Sequence, residues 1–477
     1  MKLPLLLLPG WLLAAPALAQ TAATFASVAT YNTSSASAPF GLAVADVNGD
    51  GRPDVLTANY VTNTVGVLLG TGTGTFGAIA TYSAGPGSSP LSIAVADVNG
   101  DGKSDLVTAN SGSSTAGVLL GTGTGSFGAV TTYSAGGTPD GIAVADVNGD
   151  GKPDLLVANS SSNSTGVLLG TGTGTFGAAA TYSVGANSQP SDIYVADVNG
   201  DGKLDVLTAN YGNNMVGVLL GTGTGTFGAV ATYSVGSGGI PYDIVVADVN
   251  GDGKPDLITA NYGSDAAGVL LGTGTGTFGA ATTYTMGTSS QPGGVAVADL
   301  NGDGRPDLVT ANSGTNTAGV RLGTGAGSFG PPATYSTGVG SSPSGIEVAD
   351  VNGDNRPDIL VTNAATNTVG LLLNTTALPT LAALPGAGST LYPNPTHTTA
   401  TLTATGLPAA AAQLTAVLLN PLGQEVRRLT IPVALGAATG SVPTAGLAAG
   451  LYLLRLDALD VQGAALGALP TQRLSVE

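Results

Sequence analysis

The sequence predicts an all-β protein: a seven-bladed β-propeller followed by a small immunoglobulin-like β-sandwich. Three observations carry this reading. The stretch "DVNGDGKPDLLVAN" (146–159) recurs with its first Asp at 46, 97, 146, 197, 248, 299 and 350, and a period of about 50 residues signals a propeller or solenoid. Within one period four short β-type runs are separated by turn residues, as in "GIAVADV" from Gly141, "DLLVAN" from Asp154, "TGVLLGTG" from Thr165 and "TFGAAATYS" from Thr175. Four strands per repeat make one blade. After residue 374 the repeat stops and the composition shifts.

Taken in order, residues 1–19 read as a secretory signal peptide: one Lys, a short apolar stretch broken by Pro9 and Gly10, and a small-residue Ala17-Leu18-Ala19 site. Its removal near Gln20 takes away Trp11, the only tryptophan, and leaves no further apolar run long enough to span a membrane. Residues 20–374 form the propeller. If the strand entering each Asp loop is called A, there are seven A, B and C strands, but the fourth strand, D, follows only the first six C strands. "TFASVATYN" from Thr24 supplies the missing one. The N-terminal strand is therefore expected to complete the last blade and lock the ring. That matters in a chain without cysteine, because closure protects strand edges.

Each Asp loop has the form D-x-N-x-D-G-x-x-D. The seven sets are Asp46, Asn48, Asp50, Arg52 and Asp54; Asp97, Asn99, Asp101, Lys103 and Asp105; Asp146, Asn148, Asp150, Lys152 and Asp154; Asp197, Asn199, Asp201, Lys203 and Asp205; Asp248, Asn250, Asp252, Lys254 and Asp256; Asp299, Asn301, Asp303, Arg305 and Asp307; Asp350, Asn352, Asp354, Arg356 and Asp358. Oxygen donors at positions 1, 3, 5 and 9, with a backbone carbonyl from position 7, suit a hard cation such as Ca²⁺. Glycine at position 6 permits the bend, and Asn355 replaces it in the seventh loop. These loops hold 21 of the 30 acidic residues, and seven bound Ca²⁺ would bring the formal charge from −17 to −3. An acidic chain with so few basic residues excludes nucleic acid as a partner.

The unit "F-G … P … D-x-N-G-D-G-x-x-D-L" resembles the FG-GAP/VCBS repeat of the integrin α-chain head and many bacterial surface proteins. That resemblance covers about 24–374, and it implies a seven-bladed propeller with up to seven Ca²⁺ in its A–B hairpins. After a linker (375–389), "LYPNP", "NPLGQEVRRL", "GLAAGLYLLRL" and the terminal "QRLSVE" make residues 390–477 resemble the type A sorting domain of the type IX secretion system. This implies export by that machinery to the outer surface or medium. His397, the sole histidine, reads as a solvated loop residue.

Differences among the repeats locate the ligand. The Asp loops and "LLGTGTG" turns barely vary, whereas the B–C and D–A loops do, and strand alternation puts both variable sets opposite the metal loops. There Tyr60, Tyr211, Tyr242 and Tyr262 stand among Ser, Asn and Gly, a composition suited to a glycan or a surface protein. Outside the Asp loops the propeller has six charged residues: Asp140, Asp192, Asp243, Asp265, Glu347 and Arg321. Tyr194 and Glu347 in A strands, and Arg321 in a C strand, read as drift or local packing. The expected function is a non-enzymatic binding or adhesion module. A polysaccharide-degrading enzyme on the same scaffold is disfavoured by the absence of histidine and the few unpaired carboxylates; a purely structural envelope protein is the other alternative.

Overall fold

A computed structural model describes residues 21–376 without interruption, and 384, 386–392, 394, 399–419, 425–445, 447, 450–461 and 465–476 beyond them. The leader read at 1–19, His397 and parts of the linker lie outside these residues.

Why the B strands lie at the centre of each blade follows from their composition. Asp54–Asn59 ("DVLTAN") and its six counterparts are buried along their whole length. An apolar run without alternation is what a strand covered on both faces requires. Successive side chains point to opposite faces. Leu56 joins Ile93, Leu106 and Leu119 of blade 2, whereas Val55 joins Leu360, Val369 and Leu371 of blade 7. Each blade thus shares one apolar layer with each neighbour.

Seven four-stranded antiparallel sheets result. Their inner strands are Pro39–Ala45, Pro90–Ala96, Pro139–Ala145, Pro190–Ala196, Pro241–Ala247, Pro292–Ala298 and Pro343–Ala349. Each packs on the next, and the last packs on the first, so the ring is closed. Just past its leading proline every inner strand shifts register, a bulge that re-aims the following side chains.

The seventh sheet takes its outer strand from the N-terminus: Ala29–Asn32 pairs with Thr368–Leu372, Ala29 opposite Leu371 and Asn32 opposite Thr368. The D strands are shorter than the sequence pattern suggests. Ala180–Ser183 is a strand, whereas Phe176 makes only an isolated bridge to Gly170. That phenylalanine serves the seam between blades instead. Tyr82 of blade 1 meets Phe127 of blade 2 edge-on at 5.4 Å and donates to the Gly125 carbonyl. At the seam after blade 6 the N-terminal segment stands in: Tyr335 meets Phe25 at 4.8 Å and donates to the Ala23 carbonyl.

The second unit, 378–477, is all-β as well. One sheet joins Gly388–Tyr392, Thr399–Thr405 and Ala438–Pro443; the other runs Glu425–Pro432, Gln413–Leu419, Gly450–Leu459, Ala465–Val476. Leu402 and Val442 of the first share one core with Leu414, Leu454 and Leu456 of the second. The strand beginning at Gly388 takes in the last two residues of the segment read as linker.

Candidate functional site: Asp loops and an axial cavity

In the first Asp loop, Asp46 Oδ1 accepts from the amides of Asn48, Gly49 and Asp50, and Oδ2 accepts from Gly51 at 2.7 Å. Asn48 Oδ1 accepts from Asp50 N, and Asp50 Oδ1 from Arg52 N. The chain can wind this tightly because Gly49 and Gly51 sit at φ +76° and +79°. Asn355 takes φ 62° where the seventh loop lacks the second glycine. Burial raises the Asp46 pKa somewhat, but the four amides outweigh it and hold the carboxyl below its ordinary value; Asp197 behaves alike.

Position 9 is different. Asp54 is fully buried, its Oδ2 accepting from Val47 N and its Oδ1 from Gly70 N, sixteen residues on. All seven position-9 carboxylates make this pair of bonds, pinning the Asp loop to the exit of the C strand. The approach is so close at Gly170 that a Cβ would lie 2.0 Å from the Pro153 carbonyl oxygen. Burial pushes these carboxyls up, to about 7 at Asp307 and about 6 at Asp358. At position 5 the second oxygen faces the basic side chain of position 7: Lys103 to Asp101 at 3.2 Å, Lys152 to Asp150 at 3.5 Å, Lys203 to Asp201 at 3.6 Å, Lys254 to Asp252 at 3.4 Å, with Arg52 and Arg356 at 3.9 Å.

Among the described residues no three acidic, histidine or cysteine side chains converge as a metal-holding group. The physical reason is visible in the bonds. Position 9 turns inward to two amides, and position 5 turns to an internal counter-ion. The donor set is nonetheless all oxygen and held by a tight loop, the chemistry a hard cation takes.

At the opposite ends of the strands the four tyrosines divide. Tyr211 and Tyr242 stack with rings 2° from parallel and 5.5 Å apart, and Tyr262 meets Tyr242 edge-on at 5.1 Å. Tyr60 stands apart on blade 1, edge-on to Phe40 at 5.6 Å. Phe40, Tyr242 and Tyr262 line a cavity of about 850 Å³ at the ring axis.

The carboxylates of that cavity stand out in the sequence as charges outside the Asp loops, but the sequence assigns them no shared site. Asp140, Asp192, Asp243 and Glu347, with Tyr194, all line it. The bulged inner strands carry Asp192 and Asp243 to one height on adjacent blades. Ile244 N donates to Asp243 Oδ1 at 2.8 Å and to Asp192 Oδ2 at 3.3 Å, Val295 N donates to Asp243 Oδ2 at 2.7 Å, and the two carboxyls share a hydrogen bond. Burial, then the charge of its partner, raises Asp192 well above the ordinary range, and burial raises Asp243. Burial brings Asp140 to about 6 and, with the Asp243 charge, Glu347 to about 7. The signal that could have found them is the period itself: Asp192 and Asp243 are one repeat apart, Tyr194 and Glu347 three. Reading Tyr194 and Glu347 as drift or local packing did not use that spacing. Arg321, by contrast, is local packing: it donates to the Thr285 and Gly330 carbonyls and lies 5.8 Å over the Tyr284 ring. Asp265 accepts from the Ser289 and Gln291 amides and ties two loops together.

The extracellular domain of a candidate one component system from B. thetaiotaomicron is 9% identical, with a TM-score of 0.47 over 94% of this chain and 58% of that one. A related extracellular domain, from a candidate hybrid two component system of the same organism, gives 10%, 0.46, 95% and 59%. A protein from Lactobacillus plantarum gives 16%, 0.45, 84% and 99%. The chain thus spans under two thirds of the first two. No curated protein matches it. Residues 390–462 match the secretion system C-terminal sorting domain, which places the protein on the type IX route to the cell surface or medium. No helix among the described residues is long and apolar enough to cross a membrane. Six overlapping matches from 46–108 to 299–361 cover most of the chain, and the protein belongs to the FG-GAP-like repeat family.

Proposed function

We propose that the protein is a non-enzymatic binding module, stiffened by calcium and displayed or released outside the cell, that takes a glycan or surface-protein ligand at the variable end of the propeller. The observation that carries this reading is an aromatic group in which Tyr242 and Tyr262 line the axial cavity and Tyr211 stacks on Tyr242. Flat aromatic faces beside small polar loops give contact area at low entropic cost. In each Asp loop the residues at positions 1, 3 and 5, the position-7 carbonyl and the outer lone pairs of position 9 would hold Ca²⁺. The ion would supply the counter-charge that Lys or Arg now supplies alone.

A glycan array read with wild type and with the Tyr211→Ala, Tyr242→Ala, Tyr262→Ala triple variant tests the ligand half. Loss of the recognised spots with unchanged melting supports it, and unchanged binding sinks it. A melt with and without chelator tests the metal half. Extracellular calcium modules bind at about 10⁻⁴ to 10⁻³ M, so each site at a hundredfold excess adds about 2.7 kcal/mol, and an identical melt rules calcium out.

A further inference from the structure

The axial cavity combines features that the binding reading does not explain. Its wall holds four carboxyls, Asp140, Asp192, Asp243 and Glu347, and three tyrosines, Tyr194, Tyr242 and Tyr262, and no basic side chain. The described basic residues of the propeller are elsewhere: seven in the Asp loops, with Arg321 in an outer layer. Glu347 is the sharpest case. It lines the cavity half-buried, burial is the main cause that raises its carboxyl, and the Val348 amide is the hydrogen bond that opposes the rise. Among the described residues no basic side chain lines the cavity beside it. Enclosed carboxyls without a counter-charge are costly unless protonated or met by a cation.

A bare metal ion is the poorer candidate. Asp192 and Asp243 spend their oxygens on Ile244 N, Val295 N and each other, and no convergent donor set exists among the described residues. An organic cation needs no such shell. Tyr242 and Tyr262 turn their rings at 67° to one another at the mouth; a ring face attracts an ammonium group and also packs against the apolar face of a sugar ring. At about 850 Å³ the void matches pockets that enclose whole small ligands, far wider than a single methylene chain requires.

We propose that this cavity is the specificity site of the module and receives the ammonium group of an amino sugar, with Glu347 opposite the ammonium, the Asp192–Asp243 pair adding negative charge to the wall, and Tyr242 and Tyr262 against the ring. The proposal rests on the reading of the variable end as a glycan-binding surface and names the class of glycan. It differs from that reading in placing the decisive charge inside the ring rather than on the loop tips. The raised carboxyl pKa values agree with it, because a bound cation favours the charged form and would release whatever protons these carboxyls carry.

The test is titration calorimetry on the chain as secreted, at pH 7, with a glucosamine tetramer, its N-acetylated counterpart and spermidine. The amino tetramer is expected to bind roughly tenfold or more tighter than the acetylated one, the worth of one charged hydrogen bond in a dry site. Measured in two buffers of different protonation heat, it should also show proton release. Glu347→Gln should erase the preference while chelator-sensitive melting persists. The wild-type comparison needs no variant, so a misfolded variant leaves the inference open to refutation. Equal affinity for the two tetramers overturns it and leaves the binding-module reading standing. Binding of spermidine and the amino tetramer, with rejection of the acetylated one, supports recognition of the ammonium but counts against a glycan-specific surface. Binding of none of the three overturns it outright.

Discussion

The two ends of this propeller use carboxylates in opposite ways. At the Asp-loop end Asp46 sits in the open, and backbone amides hold it below its ordinary pKa. At the cavity end Glu347 is enclosed, meets one amide and is pushed to about 7. The residue class is the same; the number of amides aimed at it and the access of water differ. A tight loop of αL glycines concentrates N–H groups on one oxygen, whereas an inner strand keeps its own N–H groups in the ladder and has few to spare. Repetition therefore produces seven amide-held acidic loops, and departures from repetition produce one cavity whose carboxyls burial raises.

The largest effect that would sharpen this contrast is at position 9, which belongs to neither class. Asp154 is buried and accepts from Val147 N at 3.1 Å and Gly170 N at 2.7 Å. Asp154→Ala orphans two buried amides at about 1–3 kcal/mol each. Chemical denaturation in the presence of chelator should therefore show a loss of about 2–6 kcal/mol. A loss within experimental error there would mean that this carboxylate is only a metal ligand and not a structural pin.

How far the sequence foretold these roles depends on whether a residue obeys the repeat. The N-terminal clasp was legible because "TFASVATYN" copies a pattern present six times, down to Phe25 and Tyr31, and the physics of a blade leaves one place for it. The shared face of Tyr211, Tyr242 and Tyr262 was legible from strand alternation, but their stacking was not. It depends on Tyr242 lying on an inner strand of blade 5 beside Tyr211 at the end of a strand of blade 4, while Tyr60 finds Phe40. The dual use of Asp54 and its counterparts was hidden, since the Asp54–Gly70 bond spans a whole hairpin. Cavity carboxyls depart from the repeat at one or two positions each, and such a departure looks like drift until the ring brings residues one period apart to the same height.

A smaller effect tests the cavity end. For Glu347 the folded pKa of about 7 lies above the ordinary 4.5, so between these values the folded protein binds more protons than the unfolded chain. Stability from this group is intact below pH 4.5, declines as pH rises, and the penalty is complete above about 7. A shift of that size is worth at most about 3 kcal/mol. Glu347→Gln should therefore gain on wild type between pH 5 and pH 8 while matching it near pH 4.5. Asp140, Asp192 and Asp243 shift in the same direction, so some downward slope should remain in the variant. Parallel pH profiles for the two proteins would show that water reaches Glu347 freely and that the cavity is not the dry site described.

The smallest effect belongs to the exposed loop residue whose sequence pattern is strongest. Asp150 accepts from Lys152 N at 3.0 Å and meets the Lys152 ammonium at 3.5 Å, with the two side chains 39% and 45% exposed. Water competes for both groups, so the pair is worth about 0–1 kcal/mol, and Asp150→Ala in chelator should melt close to wild type. Adding Ca²⁺ changes the comparison, because the variant should then lose most of one site's increment while six other loops keep theirs. The informative quantity is the difference between the two differences, wild type minus variant with calcium and without. If it is zero, position 5 serves only its lysine, and the carboxylates of this end are turn residues held by amides. If it is close to the increment of one site, the loop end is a metal end, and the two ends differ in what answers their charge: a bound ion at one, burial that raises the carboxyl pKa at the other.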